Sequence, residues 1–119
     1  MSELNKITLK IVSSGKGILA ADESTGTMTK RLESVNVKSN EENRLEFRSA
    51  LFSSKSMRNC IGGVILYDET IRQNYNEKSI PELISETGAV PGIKVDTGAK
   101  KLARSNDEKI TEGLDGLRE

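Results

Sequence analysis

Leu4, Ile7, Ile11 and Val12 recur at helical spacing, which predicts a short amphipathic helix over about the first dozen residues. Ser13, Ser14 and Gly15 break it. Gly17 to Ala21 is an apolar run bounded by turn residues, the pattern of a short buried strand that ends at Asp22. The loop residues ADESTGT follow, and Met28 to Val35 fits a short helix. Ser39, Asn40, Glu41 and Glu42 match a capping box, with the Ser39 hydroxyl accepting from the Glu42 amide and the Glu42 carboxylate reaching back. Leu45, Ser49 and Phe52 share one face behind it, so a helix is expected from about residue 40 to 53. Ser53 to Asn59 reads as a polar loop.

Ile61 to Tyr67 is the clearest strand: apolar and β-branched, with two glycines that permit close packing. Residues 70–77 fit a helical turn. Ser79, Ile80, Pro81 and Glu82 open a second capped helix that Gly88 can end. Val90 to Val95 reads as a third strand ending at Asp96, with Pro91 confined to its beginning or to an edge. Residues 97–109 read as a polar loop, and a final helix is expected to start near Thr111. Strands alternating with helices predict an α/β fold of parallel strands and right-handed crossovers. Every predicted strand leads into carboxylates: Asp22, Asp68 with Glu69, and Asp96. Ligand sites lie at the C-terminal strand ends in (β/α) barrels and in open doubly wound sheets alike, so this order leaves both architectures open.

Charge narrows the partners. Lys plus Arg number 18 and Asp plus Glu 18, giving no basis for non-specific nucleic-acid or membrane binding. A lone cysteine, Cys60, forms no disulfide within the chain, which fits a reducing compartment. With no histidine, a Cys/His zinc site and a His-based triad are both excluded, and no metal site is expected. The first residues lack the apolar core of a signal peptide and the Arg-rich pattern of a transit peptide, so a soluble cytoplasmic protein is expected.

Asp22 is the sharpest chemical candidate. Directly after a strand it either transfers a proton and holds a substrate hydroxyl, or caps the turn at Ser24 and Thr25. Ser24, Thr25, Gly26 and Thr27, followed by Lys30 and Arg31, have the composition of a phosphate site at a helix start; an ordinary capped helix with a solvated cationic face has it too. Lys94, between Ile93 and Val95, faces either an interior or a protected sheet edge. Glu69 is a weaker candidate, and Cys60 reads as packing.

Taken in order, GKGILAADESTGT (from Gly15), KRL (Lys30 to Leu32), EENR (Glu41 to Arg44), CIGGVIL (Cys60 to Leu66), PGIKVD (Pro91 to Asp96) and GLDGL (Gly113 to Leu117) resemble class I fructose-bisphosphate aldolases over nearly the whole chain. The resemblance implies an eight-stranded (β/α)8 TIM barrel, with residues 1–119 as the N-terminal portion of a single barrel domain holding its first three strands. It implies reversible cleavage of fructose 1,6-bisphosphate to dihydroxyacetone phosphate and glyceraldehyde 3-phosphate, in glycolysis and gluconeogenesis, without a cofactor. By position, Asp22 matches the aspartate that aids proton transfer. Ser24, Thr27, Lys30 and Arg31 match residues near the substrate phosphates, and Lys94 matches a lysine lining the pocket.

Many members of the family carry Ser at Thr27, Lys at Thr97 and an aromatic residue at Arg72. The lysine that forms the Schiff base lies on a later strand in this family. A complete barrel needs roughly 250 residues, so the chain is expected to be incomplete and inactive by itself. A non-catalytic phosphate-binding or interaction piece and an inactive remnant are the competing expectations. The expected partner is a sugar phosphate, and full-length family members are usually homo-oligomers.

Overall fold

The computed structural model describes residues 1–113 and 115. Three strands, β1 (Gly17–Ala21), β2 (Ile61–Leu66) and β5 (Val90–Ile93), form one parallel sheet in the order β1-β2-β5. Leu19 pairs with Val64 and Ala21 with Leu66, while Leu66 pairs in turn with Ile93. This is the arrangement expected from alternating strands and helices. A likeness to a barrel is a separate matter from a closed barrel: the described sheet has two open edges.

The helices follow local chemistry. Ser2 caps α1 (Glu3–Val12) and Ser24 caps α2 (Thr25–Glu33). For α3 (Glu41–Phe52) the cap is Asn40, which accepts from the Asn43 amide, so the cap lies one residue later than expected and the Ser39 box does not form. Ser39 is occupied elsewhere: its hydroxyl accepts from Thr29 at 2.8 Å and from Arg44 at 3.2 Å. The second capping box is present as read, with Ser79 and Glu82 opening α6 (Ile80–Glu86), and Gly88 leaves that helix at a φ of +88°.

The core lies on one face of the sheet. Val64 and Leu66 of β2 and Ala21 of β1 pack with Phe52 of α3, Ile80 and Ile84 of α6, Met57 and Ala89. The opposite face is open: Ile18 is 55% exposed and Ala20 is exposed, so β1 is not the buried strand its composition suggests. Helix α1 forms as read, but it has no buried residue. It approaches the sheet closely at Ile11, whose carbonyl occupies the space a Cβ on Gly62 would need.

Further expectations are corrected. The polar loop at 53–59 contains the start of a short helix, α4 (Met57–Cys60), because Met57 turns into the core. The helical turn expected at 70–77 comes earlier, as α5 (Asp68–Ile71), and is followed by a small hairpin of β3 (Asn74–Tyr75) and β4 (Lys78–Ser79). The loop at 97–109 and the helix expected near Thr111 are together an antiparallel hairpin, β6 (Gly98–Lys101) with β7 (Lys109–Glu112). Cys60 is exposed rather than packed. Leu114 and residues 116–117 of the GLDGL motif lie outside the described residues.

Candidate functional site

Each parallel strand delivers one side chain just beyond its last residue: Asp22 after β1, Tyr67 after β2 and Lys94 after β5. The Lys94 amide still donates to the Leu66 carbonyl at 2.9 Å, which extends the ladder one step past β5. Side chains alternate along a strand, so Asp22 and Lys94 fall in the same row as Ala20 and Gly92, on the face the helices leave uncovered. Asp22, Tyr67 and Lys94 line one cleft at these strand ends, together with Glu23, Ser24, Thr27 and Asp96.

Lys94 is the electrostatic centre of the cleft. Its ammonium donates to Asp96 Oδ2 at 2.7 Å and to Asp22 Oδ2 at 3.4 Å. The Asp96 carboxylate, and less strongly Asp22, raise the Lys94 pKa above the usual lysine range against an opposing effect of partial burial. Asp96 is held below the usual carboxylate range, first by Lys94 and then by the Gly98 amide, which donates to its Oδ1 at 2.9 Å. Gly113, at a φ of +129°, lies so close to Asp96 and Thr97 that a Cβ there would overlap their backbone. The β6–β7 hairpin thereby returns to brace Asp96, and Thr97 donates its amide to the Glu112 carbonyl at 2.8 Å.

On the β1 side, Ser24 accepts from the Thr27 amide as the cap of α2, and the two hydroxyls lie 3.3 Å apart. Both face the cleft. Arg31 is held by the Glu23 carboxylate at its edge, and Lys30 is exposed on α2 without lining the cleft. The structure therefore brings together Asp22, Ser24, Thr27 and Lys94, attaches Arg31 through Glu23, and leaves Lys30 apart.

Sequence reasoning missed the layer beneath. Arg44 forms a two-point contact with Glu69, through Nε at 2.9 Å and Nη2 at 2.5 Å. That contact holds Glu69 below the usual carboxylate range. Arg48, fully buried, donates to the Glu23 carbonyl, lies 3.7 Å from Glu69 Oε2, and sits 5.9 Å from the centroid of the Tyr67 ring. Tyr67 joins the cleft unmarked by the sequence, its only signal being its place directly after an apolar strand, whereas Asp96 stands among the strand-end carboxylates that the sequence points to.

Chemically, the cleft offers a carboxylate beside an ammonium whose charged form its neighbours favour, with two hydroxyls at a helix start. That set can exchange a proton, hold sugar hydroxyls and face an anion. No group of three or more His, Cys, Asp or Glu side chains placed to hold a metal occurs among the described residues. Among the described residues, no helix is long and apolar enough to cross a membrane.

Residues 3–119 match the model of the fructose-bisphosphate aldolase class-I family. The chain is 52% identical over 119 residues to fructose-bisphosphate aldolase B of Sparus aurata and 49% identical over 118 residues to fructose-bisphosphate aldolase 2 of Caenorhabditis elegans. In each case 98% of this chain is covered, against 33% and 32% of the relative. The chain thus spans about a third of the length of the curated relatives it matches. Its fold superposes with a TM-score of 0.90 and 41% identity on a Plasmodium falciparum fructose-bisphosphate aldolase, solved in complex with TRAP and a small-molecule inhibitor. That match covers 97% of this chain and 33% of the other.

Proposed function

The chain belongs to the class-I fructose-bisphosphate aldolase family, and from that membership we propose that it contributes the Asp22–Lys94 side of a sugar-bisphosphate site. The site works within a (β/α)8 barrel of which residues 1–119 are the N-terminal part. The barrel cleaves fructose 1,6-bisphosphate reversibly to dihydroxyacetone phosphate and glyceraldehyde 3-phosphate. The observation that carries this reading is the 3.4 Å contact between Asp22 and Lys94 in the strand-end cleft. It joins a proton-transfer group to a fixed positive charge across the open face of the sheet.

In this reading Asp22 exchanges a proton with, and orients, the substrate hydroxyls near the scissile carbon–carbon bond. Lys94 supplies charge without acting as a nucleophile, because Asp96 and Asp22 both favour its protonated form. Ser24 and Thr27 face a substrate phosphate at the start of α2; Arg31, in the last turn of that helix, adds charge at the cleft edge where Glu23 holds it, and Lys30 in the same turn stays apart from the cleft. The imine-forming lysine belongs to a strand outside these three. The reaction needs neither metal nor organic cofactor. Its setting is the cytoplasm, in glycolysis and gluconeogenesis, and the assembled enzyme is a homo-oligomer.

The test is an exchange. Residues 1–119 replace the corresponding third of the sea bream relative, and cleavage of fructose 1,6-bisphosphate is followed by triose phosphate release. The exchanged barrel is expected to turn over, and Asp22→Ala within it to lower turnover by about 10²–10⁴-fold, the usual contribution of a positioned acid–base group. A correctly folded exchange with no activity, or an Asp22→Ala variant at the parent rate, rejects the assignment.

A further inference from the structure

Arg48 lies on the face of α3 that turns toward the strand ends, and its side chain is completely buried. Burial pushes its guanidinium below the usual arginine range, while the Glu23 and Glu69 carboxylates pull it back. Burying a charged group is costly unless it is well paired. Here the pairing is incomplete: Nε and Nη1 have no hydrogen-bond acceptor among the described residues, and the carboxylates of Glu69 and Glu23 stand off at 3.7 and 4.0 Å. A long apolar side chain would fill the same space without that cost.

Among the described residues, the one hydrogen bond made by the Arg48 side chain is directed at the strand-end loop. Nη2 donates to the main-chain carbonyl of Glu23, the residue between Asp22 and the helix cap Ser24. The same guanidinium lies over the ring of Tyr67, which lines the cleft opposite. Glu69, fixed by Arg44, adds a charge that keeps Arg48 directed toward the strand ends. One buried cation thus joins the residues that follow β1 and β2, from beneath the cleft.

We propose that Arg48 is a positioning residue: through the Glu23 carbonyl it fixes the Asp22–Ser24 loop, and so sets where the Asp22 carboxylate and the Ser24 and Thr27 hydroxyls meet a sugar bisphosphate. The ligand class rests on the function proposed above; the positioning of the loop does not. Since only one of the guanidinium's donors is used, lysine can replace it functionally. Methionine, which fills the space but donates nothing, cannot.

The test compares Arg48→Met and Arg48→Lys with the parent in the 119-residue chain. Three quantities are read: the thermal midpoint, hydrogen exchange at the Met28 amide, and affinity for fructose 1,6-bisphosphate from the amide signals of Ser24 and Thr27. Met28 donates to the Ser24 carbonyl at 2.9 Å, so its exchange reports whether the loop is held. Arg48→Met is expected to keep or raise the midpoint, to speed Met28 exchange at least tenfold, and to weaken binding at least tenfold. Arg48→Lys is expected to restore both within about threefold, a contribution of one donor rather than of packing.

A role in packing alone predicts the reverse order, with methionine the better substitute, and that result overturns the proposal. So does unchanged Met28 exchange in Arg48→Met. If Arg48→Met fails to fold, a folded Arg48→Lys chain with a loosened loop is still sufficient to overturn it. If the parent chain binds no fructose 1,6-bisphosphate, the ligand class fails, and Met28 exchange still decides the role of Arg48.

Discussion

Lys94 lies between two carboxylates at unequal distances, 2.7 Å to Asp96 and 3.4 Å to Asp22. The closer one takes most of the charge interaction, which leaves Asp22 the looser partner and the one free to engage a ligand. Both shifts favour the ion pair. The raised Lys94 pKa stabilises the fold fully below the ordinary lysine value, and that contribution is lost as pH rises through the raised one. The depressed Asp96 pKa stabilises above the ordinary aspartate value and is lost as pH falls through the depressed one. The contribution of the pair is therefore complete between the ordinary aspartate and lysine values and fades beyond them on either side. Asp96→Asn is expected to return the Lys94 titration toward its ordinary range, followed by the NMR shift of its ε-methylene. A Lys94 titration unchanged in Asp96→Asn would show that Asp22 alone holds the ammonium.

Which residues were legible at this scale follows from their neighbours. Asp22 and Lys94 stood out because a charged residue directly after or within an apolar run has few places to go. Arg48 did not stand out, since arginine on a helix reads as solvent-facing and is rarely fully buried. Its interior position depends on Glu69 and on the Glu23 carbonyl, both 20 or more residues away in sequence, which no local pattern conveys.

At the scale of elements, the long apolar strands and the Ser79–Glu82 capping box were readable because their signals are local. The two hairpins were not. Strands β3 and β4 have two residues each, and β6 with β7 is polar and exposed, so neither shows an alternating apolar face. The glycines of β2 had a visible purpose only in part. Gly63 admits the Ile11 side chain, 3.2 Å from where a Cβ would sit, and Gly62 admits the Ile11 backbone itself. Gly62→Ala is accordingly expected to displace α1 and destabilise the chain by about 1–3 kcal/mol, the cost of overpacking against a backbone that cannot yield. Denaturant unfolding checks the size, and Leu4→Ala, which alters a 74% exposed side chain, is the control expected to change little. A Gly62→Ala chain as stable as its parent would mean that α1 is not docked in solution.

For the molecule as a whole, one layer of helices covers one face of a three-stranded parallel sheet. Parallel sheets are normally covered on both faces, and this one leaves Ile18 of its open face 55% exposed, with β1 and β5 as open edges. The cleft follows the same division. Among the described residues it is lined by the Asp22 carboxylate, the Ser24 and Thr27 hydroxyls and one lysine, Lys94, whose charged form both Asp96 and Asp22 favour. A nucleophilic amine must be unprotonated to attack a carbonyl, so under the proposed function Lys94 supplies charge and forms no imine. Incubating the purified 119-residue chain with fructose 1,6-bisphosphate and borohydride, with mass spectrometry of the product, tests that assignment most directly. No covalent adduct and no triose phosphate are expected; a stoichiometric adduct on Lys94 with triose phosphate release overturns that assignment.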